Sequence, residues 1–142
     1  MPGNGKLFMK KNAAFLSLLI LLMMLGGCRM IKIEEAERTP LKYTVADRSQ
    51  IPEEAAKLIE EKKEKEFQMV YQKGEDLYLI KGYGRQMSGG YSIQVTDLSA
   101  SVNAVFFETK LIGPTEEVQG GEPSYPYIVV KTEYRDVPVQ FR

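Results

Sequence analysis

The chain contains no histidine and no tryptophan, and Cys28 is its single cysteine. Histidine is the usual general base near neutral pH and the commonest metal ligand, so its absence removes Ser-His-Asp and Cys-His catalysis and most zinc sites. One thiol cannot close a disulfide within the chain, which excludes a cross-linked framework. Net charge is also missing, since 19 basic residues balance 19 acidic ones over 142 positions. Without a basic excess, no field draws the molecule onto nucleic acid. Long hydrophobic runs are scarce. The one at Ala13 to Leu25 holds 13 residues, all apolar except Ser17, and spans about 20 Å as a helix against the ~30 Å of a hydrocarbon core.

What is present begins with that run. Lys6, Lys10 and Lys11 precede it, no acid occurs before Cys28, and Leu25-Gly26-Gly27 leads into the cysteine. A positive start, a short apolar run and small residues read as a targeting segment. Leu25-Gly26-Gly27-Cys28 resembles the lipobox of bacterial lipoproteins. The resemblance implies cleavage before Cys28 and acylation of its thiol by palmitate-type chains, holding the protein on an extracytoplasmic membrane surface. Several acyl chains anchor stably where one is marginal. The expected division is a signal peptide over 1–27, a charged tether over 28–40 and a folded domain over 41–142. From Cys28 onward 16 basic residues face 19 acidic ones.

Leu41 to Arg48 alternates, with Leu41, Tyr43 and Val45 on one side, and predicts a half-buried strand. IPEEAAKLIEEKKEKEF predicts a helix. Pro52 suits a first helical position, Glu53 and Glu54 the first turn, and Lys62, Lys63 and Lys65 the last, while Ala55, Leu58 and Ile59 form a stripe for a sheet. From Phe67 the period falls to two. FQMVYQ and DLYLIKGYG about the turn KGED predict a hairpin, and YSIQVTDL and SVNAVFFETKLI predict a second strand pair separated near Asp97 to Ser101. Gly113 to Pro126 predicts a long exposed loop. YIVVKTEY and VPVQFR predict a closing hairpin about Arg135-Asp136. The fold class is β-rich α+β, a mostly antiparallel sheet or small sandwich of six to seven strands with one amphipathic helix. Tyr91, Ile93, Val95, Val105, Phe107, Leu111, Ile128 and Val130 are the expected core.

GYGRQMSGGYSIQV, Gly82 to Val95, concentrates glycine. A phosphate loop needs amides converging at a helix N-terminus, but a strand pattern follows Gly90. Gly89 and Gly90 permit the positive φ of a tight reversal between two alternating runs. The residues around them, Tyr83, Arg85, Gln86, Met87, Ser88 and Tyr91, add aromatic, guanidinium and thioether groups of the kind enriched at protein contact centres. Both a plain reversal and a contact surface account for the stretch. Carboxylate pairs such as Glu75-Asp76 and Glu116-Glu117 fall in expected turns and loops, where solvated acids do little acid or base chemistry.

Ser88-Gly89-Gly90-Tyr91-Ser92-Ile93, with IPEEAAKLIEEKK before it and YPYIVVK after it, resembles the C-terminal domain family of the protease complex subunit PrcB over about Leu41 to Arg142. Met87 stands where proline is common in that family. The resemblance implies a domain carried on bacterial envelope lipoproteins, associated with a surface protease and without catalysis of its own. The expectation is therefore a non-enzymatic, lipid-anchored envelope protein with no cofactor or metal, acting as accessory or regulatory partner of an exported protease. Tyr83, Arg85, Gln86, Met87, Ser88, Gly89, Gly90, Tyr91 and Tyr125 form its expected contact site. Two other readings stay open. One is a stand-alone binder of glycan or peptide through Tyr83, Tyr91, Tyr125 and Tyr127. The other is a direct protease inhibitor, since SGGY is similar in kind to the Thr-Gly-Tyr loop of chagasin-like inhibitors.

Overall fold

The computed structural model describes residues 37–116 and 121–142. Cys28, the expected signal peptide, most of the expected tether and Glu117 lie outside the described residues. Among the described residues, strands β1 (Thr39–Pro40), β2 (Tyr43–Val45), β3 (Glu66–Lys73), β4 (Asp76–Tyr83), β5 (Ser92–Ala100), β6 (Val105–Ile112), β7 (Tyr127–Glu133) and β8 (Val139–Phe141) accompany one α-helix, α1 (Glu53–Lys62). They form two four-stranded sheets, ordered β1-β5-β6-β8 and β2-β7-β4-β3. All neighbours run antiparallel except β6 and β8.

The second sheet is the middle layer of three. Its Leu77, Leu79, Ile128 and Val130 meet Leu98, Ala100, Val105 and Phe107 of the first sheet. Its alternate residues Tyr78, Ile80 and Val129 meet Ala55 and Ile59 of α1. Burial on both faces explains why β4 reads LYLI from Leu77 to Ile80, a continuous apolar run rather than an alternation. Val105, Phe107, Ile128 and Val130 are buried as expected, Ile93 and Val95 pack half-buried against the core, and Tyr91 and Leu111 are half-buried. The phase of β5 changes between Val95 and Leu98. Val95 pairs with Thr109 and Asp97 with Glu108, so Thr96 is the extra residue of a bulge. That slip keeps Ile93, Val95, Leu98 and Ala100 all directed at the core.

Four expectations are corrected. The strand pair expected to separate near Asp97 to Ser101 turns instead between Ala100 and Val105, because the bulge carries β5 past the break in its alternation. β7 and β8 form no hairpin. β7 pairs with β4 and β2, whereas β8 crosses to the other sheet and pairs in parallel with β6. There Phe141 sets its ring 5.7 Å from that of Phe107, edge to face. Tyr43 and Val45 are exposed, since β2 is a short edge strand, while Leu41 packs on the core. The helix is shorter than its sequence pattern: Pro52 is its N-cap, Lys63 closes it by an N–H bond to the Ile59 carbonyl, and Leu58 is exposed. From Glu66 the alternation of Phe67, Met69 and Tyr71 buries those side chains beneath the helix as strand.

Candidate functional site

Because β4 and β7 are neighbours, the loop leaving β4 and the loop entering β7 start side by side. The Tyr83 N–H donates to the Pro126 carbonyl at 3.0 Å, and Gln86 and Ser124 exchange backbone bonds of 2.8 and 3.1 Å. Beyond that bridge the Ser124 hydroxyl donates to the Ser88 carbonyl at 2.6 Å. The other ends of the same two loops meet as well. Ser92 pairs with Ile112, and next to that pair Gly113 lies against the Tyr91 ring and Gly90 against Pro114. Residues 84–91 and the described part of 113–126 therefore sit together at one end of the two sheets.

The expected contact residues take unequal places there. Met87 is 82% exposed and Arg85 is exposed. Gln86 is half-buried and its side-chain amide donates to the Tyr83 carbonyl. Ser88 is half-buried, its hydroxyl turned to the Gly89 carbonyl at 3.3 Å. Tyr83 is directed inward, its hydroxyl bonded to that of Thr109 and its ring 5.3 Å from the Lys81 ammonium. Tyr91 is half-buried. Gly90 holds φ +85, a conformation side chains resist, whereas Gly89 does not, and a Cβ on Gly89 would meet nothing within 4 Å. The reversal thus requires glycine at one of its two adjacent positions.

Tyr125 is half-buried under Lys63, whose ammonium lies 5.1 Å from the ring centre. Lys63 also bonds the Glu60 carboxylate at 2.8 Å. That hydrogen bond holds Glu60 below the usual carboxylate range and Lys63 above the usual lysine value. The end of α1 joins the site a second time, as the Arg85 N–H donates to the Glu64 carbonyl. Beside Tyr125 a groove of about 350 Å³ runs between Pro126 and Tyr127 on one wall and Asp47, Arg48 and Ile51 on the other. Tyr83, Tyr91 and Tyr125 make separate contacts, with Thr109, Gly113 and Lys63 respectively, while Tyr125 and Tyr127 both line the groove. Among the described residues no group of three acids or cysteines is placed to hold a metal ion.

Sequence reasoning missed Ser124, Pro114 and Lys63. Ser124 is joined to Ser88 across 36 positions, and no local pattern carries such a pairing.

Residues 77–133 match the family model described as PrcB C-terminal. The match runs from the start of β4 to the end of β7 and includes both loops, while α1 lies outside it. No curated protein and no solved structure matches the chain.

Proposed function

From the likeness of residues 77–133 to the PrcB C-terminal family we propose that the chain acts as the non-catalytic accessory partner of an exported protease, gripping it through the joined loops 84–91 and 121–126. One observation carries the reading. The Gln86–Ser124 bridge fastens the two loops into a single unit, from which Met87 projects almost fully into solvent with the Arg85 side chain near it in sequence. A thioether and a guanidinium on a fastened loop suit a protein contact, because little ordering entropy remains to be lost on docking. By binding only the folded protease, the domain stabilises that fold through mass action.

The proposal extends to the front of the chain, where Cys28 is the lipid attachment point and the domain stands on the extracytoplasmic side of a membrane. Crosslinking in intact cells followed by capture of the chain tests the contact. The double change Arg85→Ala with Met87→Ala is expected to lose the crosslinked protease while the domain melts as wild type, and retention of the protease would sink the assignment. Cys28→Ala is expected to leave an unprocessed precursor without incorporated acyl label. A variant that matures and labels normally would refute the anchor.

A further inference from the structure

Three of the four outer strands are short: β1 has two residues and ends in Pro40, and β2 and β8 have three each. The fourth, β3, has eight residues in unbroken register with β4 and no partner strand on its other side among the described residues. Short strands, proline and bulges are how sheets protect their edges. β3 uses none of them.

The hairpin fixes which groups face outward. Gly74, at φ +61, and Glu75 form a two-residue loop between the paired Lys73 and Asp76. In such a loop the flanking pair exchanges both hydrogen bonds, so Phe67, Met69, Tyr71 and Lys73 bond to β4 while Glu66, Gln68, Val70 and Gln72 direct N–H and C=O away from it. The far side of β4 agrees with this phase: the Tyr83 N–H and the Glu75 carbonyl are used toward Pro126 and Tyr134, on the β7 side.

Exposed apolar groups flank the open edge on both faces. Val70, 44% exposed, lies opposite the face that Phe67, Met69 and Tyr71 turn to the helix. Leu58, exposed on α1, is one turn from Glu54, whose carboxylate accepts the Tyr71 hydroxyl at 3.1 Å. Leu58 therefore shares the helix face that overhangs β3. The charges on the strand select an orientation. Parallel pairing of two copies would set Glu66 against Glu66 and Lys73 against Lys73, whereas antiparallel pairing brings the Glu66 end of each beside the Lys73 end of the other and opposes no like charges.

We propose that the open edge of β3 pairs with β3 of a second copy of this chain, antiparallel and centred on Val70, so that two four-stranded sheets become one of eight. This register sets Val70 against the partner's Val70, Gln68 against the partner's Gln72 and Met69 against the partner's Tyr71. It is independent of the protease contact, which lies in other segments.

The test uses the full chain in detergent micelles. The protein mass from light scattering is expected to be that of two chains, falling to one chain in Val70→Pro, which removes an outward N–H and no bond to β4. Val70→Lys, which leaves the backbone untouched, is expected to do the same and decides the matter if the proline variant fails to fold. Oxidation of Val70→Cys is expected to give a covalent dimer above whatever the wild-type chain gives under the same treatment. Gln72→Cys, whose two copies would stand about 13 Å apart along the strands, is expected to give none. A single-chain mass for wild type overturns the proposal, as does a dimer that survives in a folded Val70→Lys chain or crosslinking of Gln72→Cys equal to that of Val70→Cys. Crosslinking of the edge to a protease segment in place of a second copy overturns it too.

Discussion

Gly89 and Gly90 are neighbours with opposite demands. At Gly90 a Cβ would stand 3.0 Å from the Pro114 ring on a backbone at φ +85, so Gly90→Ala is expected to destabilise by about 1–2 kcal/mol. Gly89→Ala meets open space and is expected to melt within about 0.5 kcal/mol of wild type; paired thermal denaturation checks both. A second residue-scale expectation concerns Tyr71. Its hydrogen bond to Glu54, aided by burial, raises its ionisation above the ordinary tyrosine value. Because the folded state holds this proton more tightly, the stabilisation is complete below the unfolded tyrosine value of about 10 and is lost as pH rises through the folded one. In Glu54→Ala the ionisation of Tyr71, followed by NMR, is expected to fall back toward the ordinary value.

At the scale of elements, the site depends on the pairing of loops rather than on either loop alone. Ser124→Ala removes the hydroxyl bond to Ser88 and leaves the backbone bridge, at an expected cost of about 1 kcal/mol. Hydrogen exchange should quicken at the Gln86 and Ser124 amides while the amides of β4 and β7 keep their protection. The sequence made some elements plain and hid others for physical reasons. The β3–β4 hairpin was readable because a two-residue glycine turn and the apolar runs on either side of it are local. So was the helix start, from Pro52 and the two glutamates after it. The partner of β8 was not readable: its pairing with β6 follows from the rings of Phe107 and Phe141 meeting between sheets, and short apolar runs carry no record of which sheet they join. The β5 turn was misplaced because the bulge at Thr96 interrupts the very period that reveals a strand. At the site, Arg85 and Met87 stood out by composition, but the inward turn of Tyr83 toward Thr109 depends on a strand that follows 22 positions later.

For the whole molecule, the two cores share the middle sheet, so damage to one should reach the other. Phe107 is 1% exposed and lies in the core between the sheets, and Phe107→Ala is expected to cost about 3–5 kcal/mol. Denaturant unfolding followed by both near-ultraviolet and far-ultraviolet dichroism should show one shared transition at lower midpoint, with α1 lost together with the strands. The chain enters this body by an unusual route. β1 lies on the edge of one sheet and β2 on the edge of the other, with Leu41 between them, its side chain on the core and its N–H bonded to the Leu98 carbonyl at 3.0 Å. A mechanical load applied ahead of Thr39 is met first by the two residue pairs of β1, then by Leu41, then by the three pairs of β2. These short stitches would part in sequence as a shock absorber does, spending the pull before it reaches the long strands.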